Sequence, residues 1–272
     1  MSPVQIKVPP PPAPSPLGVL KIEGSKIVGN DGKPVLLRGA GLGGHLNMEN
    51  FIALFILVDI PNSAELQCAH HGIYTILDLH AAPGGQNVDW HCDTGIHRAL
   101  FWEHIEFQNR AIALWEELAR RYKGNTWVAG YNPLNEPTDE EHTRVLDWYA
   151  RAEKAIHAID PDHIVSTEAV VGLNVVLIYN IAVLGWKYFC CRLLPVSTTF
   201  TFLVLPFLTP QSFGDPLPGS VYSIHDYSNY GFPQISEPYE GTPEQKEKLE
   251  SSFKRKIAYH EKTGGHIWNG EL

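Results

Sequence analysis

The sequence predicts an α/β fold, most economically a (β/α)8 TIM barrel, on three observations. Apolar, β-branched runs alternate along the chain with segments whose apolar residues recur at helical spacing. The connections are mostly short, which favours parallel strands with helices outside them. Polar side chains gather at the strand ends, the edge on which such barrels carry their chemistry. With 272 residues, the chain has the length of one barrel of roughly 250.

The elements follow in order. "MSPVQIKVPPPPAPSPLG" is Pro-rich and predicts a disordered tail over 1–18; it has no apolar signal-peptide core, which points to the cytoplasm. From 19 to 272 a single barrel domain is expected, interrupted by an apolar insert over 170–208. "VLKIEGSKIVGNDGKPVLLRG" reads as a small hairpin with an Asn-Asp-Gly turn, then a strand from Pro34 to Arg38. "HGIYTILDLH" is a buried strand, His71 to His80, and Phe101, Ile105, Ile112, Trp115 and Leu118 mark a helix over Arg98 to Tyr122.

"NTWVAGYNPLNEP" is the next strand, and Thr138 and Glu141 have capping-box spacing ahead of a helix carrying Val145, Tyr149, Ala152, Ile156 and Ile159. "DHIVSTE" and "GSVYSIHDY" are further strands. "GTPEQ" opens a helix with Thr242 as cap, Pro243 in the first turn and an apolar stripe of Leu249, Phe253 and Ile257. "GHIWNGEL" is the last strand. The strand ends therefore bear His80, Asn135, Glu136, Glu168, His225, Tyr227 and Glu271.

Two carboxyl groups facing each other across a sugar-sized gap can cleave a glycosidic bond, one protonating the leaving oxygen while the other attacks the anomeric carbon. Rigid strand ends across a barrel mouth can hold such a pair, and Glu136 and Glu271 meet that demand. "NEP" and "WNGE" at two strand ends, with "LDLHAAPGGQN", "SIHDY" and "LLRGAGLGG", resemble glycoside hydrolase family 5, its fungal members above all, over Leu20 to Ser166 and Phe213 to Leu272. The resemblance implies a cellulase-like retaining enzyme acting on a β-linked oligosaccharide, glucan or glycoside. It implies Glu136 as general acid and base, Glu271 as nucleophile and Asn135 as the partner of the sugar's 2-hydroxyl. His80 and His225 would shape the subsite, Tyr227 would hydrogen-bond the nucleophile, and Trp90 is a candidate for stacking on a sugar face. No cofactor or metal is implied.

Three departures from the family pattern stand out. Only 38 residues separate Val35 from Ile73, where two units should take about 62, and the candidate second strand "ALFILVDIP" offers Asp59 where the family has an Arg. Strand 2 is therefore expected to be degenerate. In contrast, 135 residues separate Glu136 from Glu271, where three units take about 94. The excess is close to the length of the 170–208 block, whose charges are Lys187 and Arg192. That block reads as foreign sequence, such as a translated intron; a membrane span is the weaker reading, because Asn174 and Asn180 interrupt it. Lastly, Leu272 follows Glu271 directly, so an eighth strand is expected to be missing. A catalytically impaired fragment of a glycosidase is accordingly an alternative reading.

Other classes fit less well. A net charge of −9 argues against a nucleic-acid partner, and a monomer is expected. Cys68, Cys92, Cys190 and Cys191 suggest no disulfide framework, in keeping with a reducing compartment. "HAAPGGQNVDWHCDTGIH" collects His80, His91, Cys92, Asp93 and His97, as a metal-dependent barrel hydrolase would, yet the spacing matches no closed zinc pattern.

Overall fold

A computed structural model of the chain describes residues 11–41, 64–89, 92, 97–139, 144–168, 220–225, 230 and 237–271. The candidate second strand over 53–61 and the 170–208 block lie outside them, as do Trp90, Glu141 and Tyr227.

Five strands form one parallel sheet: β3 (Thr75–Asp78), β4 (Val128–Asn132), β5 (Ile164–Glu168), β6 (Ser220–His225) and β7 (His266–Glu271), each hydrogen-bonded to the next in chain order. Parallel neighbours need a crossover, and among the described residues helices supply it in three connections. Between β3 and β4 run α2 (Leu100–Glu103) and α3 (Ile105–Tyr122), while α4 (Arg144–Ile159) joins β4 to β5 and α5 (Pro243–Thr263) joins β6 to β7. The sheet curls into a parallel half-barrel, preceded by a hairpin of β1 (Lys21–Glu23) and β2 (Lys26–Val28) and by α1 (Ala64–His70).

The burial pattern explains why these residues adopt this arrangement. Leu77 of β3 and Val165 of β5 belong to one apolar cluster with Trp115 of α3 and Trp148, Tyr149 and Ile156 of α4. Removing either buried indole would cost about 3–5 kcal/mol. Residues next to these along the strands, Ile76 and Ile164, join a second cluster with Val221, and the hairpin's Ile27 and Leu20 lie against it. A cavity of about 30 Å³ remains between the hairpin and the sheet, apolar and too small for a sugar ring. Gly130 allows β4 and β5 to approach, since a Cβ there would stand 2.6 Å from the Ile164 carbonyl oxygen.

Several local expectations are corrected. Residues 34–38 form no strand of the sheet; Pro34 makes one antiparallel bridge to Val28 and the Val35 N–H donates to the Ile27 carbonyl. The segment thus extends the hairpin, with Val35 and Leu37 half-buried and Leu36 exposed. The expected long helix is divided at His104, whose extended backbone separates α2 from α3. Ahead of α4 the buried Asp139 carboxylate takes the Arg144 N–H at 3.0 Å and the Arg144 Nε at 2.8 Å, while the capping box expected of Thr138 with Glu141 lies outside the described residues. Thr242 does cap α5, accepting from the Gln245 N–H, but the helix turns Ser252 inward and leaves Phe253 exposed.

The Pro-rich segment is not free over its last residues. Ser15 donates its N–H to Thr126 Oγ1 at 2.6 Å and its hydroxyl meets that of Tyr74, while Trp127 Nε1 donates to the Ala13 carbonyl at 2.7 Å. An expectation of disorder over all of 1–18 therefore fails at these positions, because polar groups of the α3–β4 connection and of Tyr74 hold the chain.

A buried polar network secures the turn into β5. His163 and Asp160 are fully buried, with Nδ1 of His163 2.6 Å from Asp160 Oδ2 and Nε2 3.0 Å from the Asn125 carbonyl. Both ring nitrogens face acceptors, so the ring carries both protons. Burial alone would raise the Asp160 carboxyl and lower His163. Burial is the largest single influence, but it is outweighed jointly, at Asp160 by the bonds from His163 and from the Tyr131 hydroxyl at 2.7 Å, and at His163 by Asp160 and the Asn125 carbonyl, so Asp160 lies below and His163 above its ordinary value. Burial, then the bond to Asp160, pushes the Tyr131 hydroxyl well up.

Candidate active site

The polar residues converge at the C-terminal edge of the sheet, where backbone groups leave the ladder and side chains can meet. Asp78 ends β3. Its Oδ1 accepts from Asn132 Nδ2, at the end of β4, and its Oδ2 lies 2.9 Å from His80 Nδ1. A carboxylate only accepts, so the proton of His80 sits on Nδ1 and leaves Nε2 as the acceptor. Asn135 Nδ2 lies 3.3 Å from that Nε2. The amide is thereby oriented, and the buried Asn135 Oδ1 has no protein partner among the described residues.

Glu136 follows in an unusual backbone state, at φ 45°. For a side-chain-bearing residue this left-handed conformation costs about 1–3 kcal/mol and persists where surrounding bonds hold it. Asn87 Nδ2 donates to the Glu136 carbonyl at 2.9 Å, and Gln86 Nε2 donates to the Asn135 carbonyl at 2.8 Å. Glu136 Oε1 is 2.8 Å from Nδ1 of His225, at the end of β6. The glutamate side chain is 18% exposed and the imidazole 3%, so the contact is sheltered while the carboxyl retains a path to solvent. A carboxyl and an imidazole at this distance can pass one proton between them.

Glu271 closes β7, and its backbone is the register partner of His225 across a shift between Ile224 and His225. The β6–β7 approach is tight: a Cβ on Gly270 would stand 2.6 Å from Ser223 Oγ and 3.3 Å from His225 Nε2. The structure therefore gathers His80, Asn135, Glu136 and His225 at one edge and brings the Glu271 backbone beside His225. Glu168 ends β5 on the same edge. Tyr227 and Trp90 fall outside the described residues.

The residues unmarked as site members in the sequence are Asp78, Asn132, Gln86 and Asn87. The last two stand in "APGGQN", where a Gln-Asn pair directly after a Gly-rich turn was the available signal. For the zinc reading, the Cys92 thiol is occupied by Asn87 and Asp89 oxygens and His97 is exposed. Among the described residues no three His, Cys, Asp or Glu side chains are grouped to hold a metal, and no helix is long and apolar enough to cross a membrane.

A curled parallel sheet with helices outside and polar groups along its C-terminal edge defines an α/β-barrel chain. Residues 66–272 match the family model described as cellulase, glycosyl hydrolase family 5, and the chain belongs to that family. It is 34% identical to a β-xylosidase of Phanerodontia chrysosporium in an alignment covering 94% of this chain and 62% of that protein. It is also 37% identical over 73 residues to cellodextrinase A of Ruminococcus flavefaciens, covering 27% of this chain and 20% of that one. The crystal structure of an endogalactoceramidase, 20% identical, aligns over 93% of this chain and 68% of its own with a TM-score of 0.57. The chain thus spans less than two thirds of the length of these two curated relatives.

Proposed function

We propose that the chain is a retaining β-glycosidase in which Glu136 is the general acid and base and Glu271 the nucleophile. Protonation of the glycosidic oxygen by Glu136 accompanies attack of the Glu271 carboxylate on the anomeric carbon; the aglycone leaves and a glycosyl-enzyme forms. Glu136 then takes a proton from water, whose oxygen attacks the same carbon and releases both the sugar and Glu271. Asn135, with its oriented amide, receives the sugar's 2-hydroxyl at its open oxygen.

The observation that carries this reading is the contact of Glu136 with His225, whose backbone is paired with Glu271. It brings the two carboxyl-bearing strand ends, distant in sequence, to one residue, Glu136 through the His225 imidazole and Glu271 through its backbone. The names of the relatives favour a β-linked xyloside or glucan fragment as substrate. Tyr227 is proposed as a hydrogen-bond donor to the nucleophile, on the family resemblance.

Hydrolysis of aryl β-xylosides and aryl β-glucosides tests the reading. Glu136→Gln should lower kcat/KM about 10²–10⁴-fold, the usual share of a general acid–base group. A 2-deoxy-2-fluoro glycoside should label Glu271. If wild type and Glu136→Gln are equally inert, the reading of an impaired chain, which Asp59 in place of the family's Arg favours, replaces it.

A further inference from the structure

We propose that Asn87, supported by Gln86, is a positioning residue that aims Glu136 at the leaving-group oxygen. The inference rests on Glu136 being the acid and base and adds a device that holds it there. Consecutive carbonyls, those of Asn135 and Glu136, are held by consecutive side-chain amides, Gln86 and Asn87. Both amides are wholly buried.

Each amide has a single workable orientation. Asn87 Oδ1 receives the Asp89 N–H at 2.9 Å and the Cys92 thiol at 2.8 Å, so its NH₂ must face the Glu136 carbonyl. A flipped amide would set donors against donors and oxygen against oxygen. Gln86 Oε1 accepts the Ala82 N–H at 3.0 Å, and Nε2 gives its two protons to the His80 and Asn135 carbonyls, both at 2.8 Å. The Gln86 carbonyl in turn accepts from Trp102 Nε1 and from the Thr138 N–H. The loop after β3 is thus bonded to residues on both sides of Glu136.

What the clamp holds in place is the left-handed backbone of Glu136. Without the Asn87 donor, the peptide after Glu136 loses its anchor and its φ can relax toward the ordinary region, which swings Cβ and the carboxyl away from their present direction. Proton donation depends on that direction. Attack by the nucleophile on a substrate whose aglycone leaves unprotonated does not.

Asn87→Asp and Asn87→Ser test the proposal, the first replacing the donor by an oxygen and the second shortening it. Wild type, both variants and Glu136→Gln are assayed on phenyl and on 2,4-dinitrophenyl β-xyloside or β-glucoside, whichever sugar wild type turns over. Rates are expressed per active site titrated with the 2-deoxy-2-fluoro glycoside, which removes differences in folded yield. The expected result for the Asn87 variants is a loss in kcat/KM of about 30-fold or more on the phenyl glycoside and under about threefold on the dinitrophenyl glycoside, because only the former needs the acid. Equal losses on both substrates, no loss, or failure of both variants to fold would overturn the proposal and make Asn87 a residue of the fold alone. An inert wild type, or a Glu136→Gln variant fully active on the phenyl glycoside, would instead overturn the functional reading and this inference with it.

Discussion

Nδ1 of His225 stands 2.8 Å from Oε1 of Glu136, bridging the ends of β6 and β4 across a sheet in which β5 lies between them. Strands two places apart are separated by roughly 10 Å, from the spacing of about 4.8 Å between neighbours. A short aspartate or serine at either end would not close that gap; a glutamate and a histidine do. The sheltered imbalance of exposure, imidazole inside and carboxyl at the rim, makes the histidine a fixed support for a carboxyl open to solvent.

His225→Ala should therefore lower kcat/KM on an aryl β-glycoside by about 10–100-fold, or ~1.4–2.7 kcal/mol of transition-state stabilisation. Steady-state kinetics alongside Glu136→Gln provides the check. The double variant should be no worse than Glu136→Gln alone, because the imidazole acts through that carboxyl.

Asp78 is expected to matter through His80. Removing its carboxylate in Asp78→Ala frees the imidazole to carry its proton on Nε2, which would face the Asn135 NH₂ and force the amide to turn. The expected loss in kcat/KM is about tenfold, ~1.4 kcal/mol. A variant matching wild type on the same aryl glycoside would show that the amide keeps its orientation unaided.

Gly270→Ala places a methyl group against Ser223 Oγ and His225 Nε2. The overpacking should cost about 1–3 kcal/mol in urea denaturation and should lower activity as well, since the displaced ring is the one that holds Glu136. Unchanged stability would mean that the strand end gives way without disturbing the imidazole.

The buried Asp160 and His163 pair predicts a two-sided pH dependence of stability. Asp160 is depressed, so its contribution is present above the unfolded value of about 3.9 and disappears as pH falls through the lower folded one. His163 is raised, so its contribution is full below about 6.5 and disappears as pH rises through the higher folded value. Wild type should exceed His163→Ala by about 3–5 kcal/mol between these limits, with the gap narrowing on either side. Urea midpoints measured across pH check it, and a flat difference would contradict the charged pair.

Much of this arrangement could be read from residue order. The strands at Val128, Ile164 and Ser220 coincide with apolar runs ending in polar residues, because a strand buried on both faces leaves that pattern, and the half-buried strands at Thr75 and His266 end in polar residues as well. His80, Asn135, Glu136 and His225 were marked by their places at such ends. Asp78 and Asn132 carry no such signal, since their partners are other side chains and periodicity carries no record of those bonds. Gln86 and Asn87 act on backbone carbonyls, which every residue has, so no complementary residue type flags them. The Pro34–Arg38 segment misled for the opposite reason: its local alternation suits a strand equally well whether it joins the sheet or lengthens the hairpin.

The hydrogen bond from His266 Nδ1 to the Ser25 carbonyl, at 2.6 Å, spans 241 residues. Closing so long a loop carries an entropic penalty that grows with the logarithm of its length and slows assembly. During translation the hairpin's Leu20 and Ile27 must wait for the strands that carry Ala129, Ile164 and Val221, and the His266 bond forms last of all. That interval makes the early hairpin a natural point for chaperone capture.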